Sequence, residues 1–293
     1  MYRSRSRWIA VVVLWLALLA LAACGQNAEQ TGGTDTGAET EAGAETEAGA
    51  ETEAEESMEE ATETGAEESM EEGAATGEPV KIGAIFDLTG PTSDVGVPYA
   101  EGIQAYVAWK NENSGIAGRP IELISSDYGY EVPRAEELYT QYVTQEGVVA
   151  FAGWGTGDTE ALKGKITQDQ IPFMSASYSA GLADPAETPY NFLVGTTYSD
   201  QLVIAQTWAL EDWVAQGNSD PPKFAYLHHD SPFGQSPIAD GKAHAEANGV
   251  ETLEVPMPGG ATDLTPQLQQ IRDFGANYVF IQNVPSPASL ALR

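Results

Sequence analysis

The pattern of apolar and polar positions divides the chain into three stretches of different character. Trp8 to Ala23 is an unbroken apolar run, whereas between Gln26 and Glu78 the only apolar residues besides alanine are Met58 and Met70. From Val80 onward, short apolar runs alternate with helical spacings. Lys81–Phe86 reads as a buried strand, followed by the turn Leu88-Thr89-Gly90-Pro91. A helix comes next, with Tyr99, Ile103, Tyr106 and Val107 at i, i+4, i+7 and i+8. Gly115, Gly118 and Pro120 end it. Strands Ile121–Ser125, Val148–Ala152 and Pro172–Ser175 alternate with helices Ala135–Thr144 and Thr159–Gln168. A second series begins after Thr197. Leu202, Ala205, Ala209 and Trp213 share a helix face, strand Phe224–His228 follows, and the Pro232-Phe233-Gly234 turn starts another helix. Strand Thr252–Pro256, a helix marked by Leu264, Leu268 and Ile271, and strand Tyr278–Gln282 complete the series.

Repeated β-α units predict an α/β fold with parallel sheets and helices on both faces. Two such series predict two doubly wound lobes, residues 79–199 and 200–293, behind an N-terminal segment 1–24 and a spacer 25–78. Ligands of such sheets bind outside the carboxyl ends of the strands.

Charge narrows the function. The formal net charge is −31, from 44 acidic and 13 basic residues. Residues 25–78 hold 18 of the acids and no Lys or Arg, but residues 79–293 are also anionic, with 26 acids against 10 basic residues. A nucleic-acid partner held by phosphate neutralisation is excluded on this ground. The single cysteine, Cys24, excludes an internal disulfide and a Cys-rich zinc site.

Arg3, Arg5 and Arg7 before Trp8–Ala23 form a secretory signal pattern. At roughly 1.5 Å per residue the apolar run is shorter than a ~30 Å bilayer core. It ends Leu21-Ala22-Ala23-Cys24-Gly25, which resembles a bacterial lipobox. That resemblance implies lipidation of Cys24 and an extracytoplasmic protein held at the membrane by its acyl chains; the alternative is a small-residue cleavage site with a chance cysteine. Gly-Ala-Glu-Thr-Glu-Ala then runs three times from Gly37 to Ala54. So few apolar residues cannot form a core. The segment reads as a spacer with an r.m.s. span of about 40 Å, extended further by charge repulsion, or as low-complexity sequence under weak constraint.

Four strand-end turns are candidates for function: Leu88–Gly96, Gly153–Thr159, Ser175–Ser179 and His228–Gly234. Gly153–Asp158 has the context of a dinucleotide fingerprint, but Asp158 replaces the third glycine and would repel a pyrophosphate. What remains is a glycine-rich turn exposing N–H groups at a helix start, suited to a carboxylate. The plainer reading is an N-cap by Asp158 with Thr159 entering the helix. Ser175-Ala176-Ser177-Tyr178-Ser179 gathers three hydroxyls and a phenol. His228 and His229 are adjacent and point apart along a strand, so neutral histidines bonding a turn are favoured over a metal or a triad. No cofactor and no metal is expected.

Val80-Lys81-Ile82-Gly83-Ala84 leading to Leu88-Thr89-Gly90-Pro91, with Asn113-Ser114-Gly115-Ile116-Ala117-Gly118-Arg119-Pro120, Gln170-Ile171-Pro172-Phe173 and Asp230-Ser231-Pro232-Phe233-Gly234, is similar to type I periplasmic binding proteins of the Leu/Ile/Val-binding family. These are substrate-binding components of ABC importers. The resemblance implies two lobes closing on a small polar solute (an amino acid, an amide or an organic acid) and docking on ABC permease subunits. It places the carboxylate-binding turn on Thr156 and Gly157, the turn for ammonium and carboxylate on Ser177, Tyr178 and Ser179, and the covering aromatic on Phe233. A first-turn position that often carries an aromatic falls on Val95, and one where tyrosine is common falls on Val284. Gly157 stands where a serine is usual, and Asp158 beside it either repels a carboxylate or receives an ammonium or amide. The family continues beyond Arg293 with a return to the first lobe, so the chain reads as C-terminally truncated, with an incomplete second lobe. The rivals are a sensor module of the same fold and a hydrolase, which would need a nucleophile beside one of His228, His229 and His244.

Overall fold

The run Lys81–Phe86 forms a strand buried on both faces because its neighbours in space cover both. The computed structural model of the chain describes residues 75–293; the signal segment, Cys24 and the acidic repeats lie outside the described residues. Strands β1 (Val80–Phe86), β2 (Ile121–Asp127), β3 (Ala150–Ala152), β4 (Phe173–Met174) and β5 (Asn191–Phe192) form one parallel sheet in the order β2-β1-β3-β4-β5. Along β1 the side chains alternate. Ala84 and Phe86 pack with Ala100 of helix α1 (Ser93–Glu112). Ile85 faces the opposite side, with Leu138 and Tyr139 of α2 (Val132–Gln141) and Leu162 and Ile166 of α3 (Thr156–Asp169). Phe151 and Phe173, paired across β3 and β4, stack at 5.2 Å between ring centroids.

The second sheet has the order β7-β6-β8, from β6 (Lys223–His229), β7 (Glu251–Met257) and β8 (Tyr278–Gln282), again all parallel. Phe224 and Tyr226 face α4 (Tyr198–Ala215) and α6 (Ile238–Ala247) through Ala209, Ile238 and Ala245. Ala225 and Leu227 face Leu264 and Ile271 at α7 (Thr265–Phe274). The short helices α5 (Pro232–Gln235) and α8 (Pro285–Ala291) follow β6 and β8. The chain passes from the first sheet to the second between Phe192 and Tyr198, where the Thr197 hydroxyl caps α4 by accepting from the Asp200 N–H at 3.1 Å.

Two local differences from the sequence reading bear on the site. Helix α3 starts at Thr156, three residues before the predicted Thr159, with Gly155 as its N-cap. Asp158 is therefore not the cap. Its carboxylate reaches back to the Gly155 N–H at 3.1 Å, the acidic half of a capping box. Helix α2 likewise starts earlier, at Val132, and runs into a π-helical turn at Tyr142–Glu146 that Gly147 ends in left-handed geometry.

Candidate functional site

The turns that follow β1, β2, β3, β4 and β6 converge on one cavity of about 290 Å³. Each is held by buried polar atoms. Asp87, fully buried, accepts from the N–H groups of Gly90 and Thr92 at 2.6 and 2.8 Å and from the Thr92 hydroxyl at 2.6 Å. Thr92 in turn accepts from the Trp154 indole N–H at 2.8 Å, which ties the β3 turn to the β1 turn. An added Cβ on Gly96 would lie 1.9 Å from the Asp87 carbonyl oxygen, so α1 needs glycine there to leave the turn this closely.

Trp154 and Tyr99 meet at 5.2 Å between centroids and form one wall with Val95. Tyr130, held at φ +64° after β2, forms a second wall and meets His229 edge-on at 6.2 Å. Tyr178 and Tyr198 form a third wall, edge to face at 5.6 Å, and Phe233 covers Tyr198 at 5.4 Å. Val284 closes the remaining side, and Gly155, Thr156 and Ala176 line the floor. Burial raises the pKa of Tyr99 and of Tyr130 and pushes that of Tyr198 up to about 12. These phenols are therefore neutral hydroxyls at physiological pH.

Of the seven ligand-binding residues singled out in the sequence, Thr156, Tyr178 and Phe233 line this cavity. The others stand behind or beside it. Ser177 is buried with its hydroxyl 2.7 Å from that of Thr156, and it accepts the Ser179 N–H at 3.3 Å. Ser179 donates to Glu160 at 3.0 Å. Gly157 faces Val132 and Pro232, with an added Cβ 3.3 Å from the proline ring. Asp158 accepts from the Tyr128 hydroxyl at 2.9 Å as well as from Gly155. Burial pushes its pKa up to about 6 against those hydrogen bonds. Asp158 is not among the residues that line the cavity. Val95 and Val284 both line the cavity.

Tyr130 and Tyr198 are additional wall residues that the sequence reading did not single out. His228 bonds the His229 carbonyl through Nδ1 at 2.9 Å and lies 3.3 Å from Glu254, while His229 pairs locally with Ser231 at 2.8 Å. Burial lowers the His229 pKa. Among the described residues no group of three His, Cys, Asp or Glu side chains is placed to hold a metal.

The cavity lies at the carboxyl ends of parallel strands from two separate sheets, the position expected for the ligand of such folds. A sequence profile described as periplasmic binding protein matches residues 79–293. The chain belongs to the periplasmic binding protein family. It is 26% identical over 216 residues to Leu/Ile/Val-binding protein homolog 6 of Brucella suis, covering 72% of this chain and 52% of that one. Among solved structures it resembles a branched chain amino acid ABC transporter protein from Thermus thermophilus with bound valine, at 28% identity and TM-score 0.67 over 73% of this chain and 55% of that one. An ABC transporter substrate binding protein of Aeropyrum pernix matches at 30% identity and TM-score 0.66, over 73% and 56%. The chain thus spans about half the length of the relatives it matches. Proteins of the periplasmic binding family work outside the cytoplasm and bind solutes without transforming them.

Proposed function

We propose that the chain is the solute-binding component of an ABC importer, an extracytoplasmic lipoprotein anchored through Cys24. A small polar solute (an amino acid, an amide or an organic acid) would sit between the two lobes. The observation that carries this reading is the cavity itself, walled by turns of the first lobe, by Tyr198 at the crossing and by Phe233 and Val284 of the second. The lobes touch at its rim, where Tyr130 meets His229. Solute binding favours this closed arrangement only by its higher affinity for the closed form. That form then docks on permease subunits, with residues 25–78 as the tether that lets the domain reach them.

A thermal-shift screen of amino acids, amides and organic acids on the full chain tests the binding role. A true ligand at 100 times its Kd adds about 2.7 kcal/mol to stability. A screen flat across all three classes, on protein that unfolds cooperatively, defeats it. Cys24→Ser should move the protein from the membrane fraction to the soluble one, and its continued sedimentation with membranes would remove the anchor from the proposal.

A further inference from the structure

Where the lobes meet beside the cavity, a buried histidine ends a chain of hydrogen bonds that crosses between them. His229 closes β6 in the second lobe and is almost wholly buried. Its Nδ1 lies 2.8 Å from the Ser231 hydroxyl, and that hydroxyl also bonds the phenol of Tyr130 in the first lobe. The edge-on contact between the Tyr130 and His229 rings runs alongside this chain.

The other imidazole nitrogen, Nε2, is sealed from water and has no hydrogen-bond partner among the described residues. The seal is made by atoms already in place, and it spans the seam between the lobes. A Cβ added to Gly259, on the loop after β7, would stand 3.7 Å from Nε2 and 3.5 Å from Pro91 of the first-lobe turn. Parting the lobes withdraws Pro91 from that loop and Tyr130 from the imidazole, which opens the surroundings of Nε2 to water.

A neutral imidazole completes the chain with one proton. Nδ1 donates to Ser231, Ser231 donates to Tyr130, and Nε2 keeps only a lone pair. An imidazolium carries a proton on each nitrogen, so closure would strand an Nε2–H away from both water and acceptors, a costly exchange. The groups around the ring act in both directions. Asp230, next along the chain, favours the cation, while its carboxylate lies 3.5 Å from the Gln235 amide. His228, on the other side, opposes a second positive charge. Tyr130 faces the ring as a neutral phenol with Asp158 and Asp87 beyond it, and Phe233 and Gly259 are apolar contacts. Burial outweighs Asp230 and holds the imidazole below the ordinary histidine range.

We propose that His229 is a proton-sensitive latch between the lobes. Neutral, it completes the bond chain to Tyr130 and favours the closed form; protonated, it favours the open form, where water reaches Nε2. Acid therefore weakens the hold on a bound solute, because whatever favours the open form lowers affinity for a ligand of the closed one. The inference rests on the solute-binding reading only in requiring that the lobes part.

Spin labels on exposed positions of each lobe read the closed fraction directly, without a ligand. Gln104→Cys on α1 and Gln270→Cys on α7 carry them, in the full chain with Cys24→Ser. Double electron–electron resonance should show the closed-to-open ratio falling about three- to tenfold between about pH 8 and 5.5, as the open-form imidazole titrates in its ordinary range. His229→Gln, which takes up no proton, should hold the ratio constant over that interval. Tyr130→Phe keeps the ring, loses the hydroxyl and should lower the ratio at pH 8 about fivefold, so a His229→Gln protein that fails to fold leaves this second check. A constant ratio in the parent, an undiminished pH dependence in His229→Gln, or an unchanged ratio in Tyr130→Phe overturns the inference. In those cases two populations still mark lobes that part, and the solute-binding reading stands. A single population at every pH overturns the inference too, and the thermal-shift screen then decides the binding reading by itself.

Discussion

The two lobes use the same local device for different purposes. In each, a central buried strand ends in a tight turn, and a glycine at the start of the next helix lies against the carbonyl of the turn. An added Cβ would stand 1.9 Å from Asp87 O at Gly96, and 1.9 Å from His229 O at Gly234. Beyond that point the lobes diverge. The first-lobe turns are fixed by a buried carboxylate, Asp87, and by the Thr92–Trp154 link, and they supply most of the cavity wall. The second-lobe turn is fixed by the imidazoles of His228 and His229, and this lobe supplies Phe233 and Val284. On the proposed function, the first lobe would be the preorganised binding surface and the second its cover.

The strongest way to break that contrast is to spoil the shared device in each lobe separately. Gly96→Ala forces a side chain against backbone and should cost about 3 kcal/mol or more, abolishing ligand binding. Gly234→Ala meets an equal obstruction but should leave weak binding to the first lobe. Calorimetric titration of both variants checks this, and equal loss of binding in the two would show that neither lobe is the primary surface.

Phe233→Ala sharpens the same point without a backbone clash. The ring covers Tyr198 at 5.4 Å and is only half-buried. Its removal should raise the ligand Kd about tenfold, or roughly 1.4 kcal/mol, with the thermal midpoint of the ligand-free protein little changed. A drop in the midpoint as large as the loss of affinity would make Phe233 a core residue rather than a cover.

Acidification should separate the lobes further. Asp158, facing Tyr128 and Asp87, has its pKa raised to about 6 by burial, so its neutral form is the one the fold favours. Its stabilising contribution is complete below the ordinary carboxylate range and is lost as pH rises through about 6. Between pH 7.5 and 5 the first lobe therefore gains about 1 kcal/mol from this group. His229, beside Asp230 and His228, is shifted the other way by burial. Its contribution is present above the ordinary imidazole range and is lost as pH falls through its lowered value. Hydrogen exchange followed by lobe should show the first lobe tightening and the second loosening as pH falls. Asp158→Asn should remove the first effect alone, and a variant that keeps the full pH dependence would sink the assignment.

How much of this was legible in the sequence depended on whether a periodic rule applied. Central strands carry continuous apolar runs because both faces are covered, and Tyr278–Gln282 is a strand over the residues its apolar run marks. The glycine-rich turn before α3 was visible, because close approach of backbone at a strand end requires small residues. Side-chain direction inside the turns was not. Ser177 and Ser179 alternate with Tyr178 in the chain, yet only Tyr178 reaches the cavity, because irregular backbone has no fixed period and each serine finds a nearer polar partner. Tyr99 lies on an apolar helical stripe, which marks a cavity wall and a packed core alike. Tyr130 adopts a positive φ that nothing in its residue type announces. Asp158 read as an N-cap because the Gly155 backbone can start a helix without a side-chain signal.

The smallest expected effect tests the closure itself. Asp94, exposed in the first turn of α1, accepts the Ser286 N–H at 2.8 Å across the two lobes. A carboxylate at a helix start is worth about 0.3–1 kcal/mol, less in salt. That amount is present for α8 only while the lobes are together. Asp94→Asn should therefore raise the ligand Kd about two- to threefold at low salt, with little change at high salt. The same substitution removes a favourable charge from α1 itself, a loss felt in the open and closed forms alike. Only the first effect appears in Kd and only the second in the stability of the ligand-free first lobe, so measuring both separates them. An unchanged Kd with lowered first-lobe stability would mean that Asp94 serves its own helix alone, and that closure depends on the aromatic contacts around Tyr130 and Phe233.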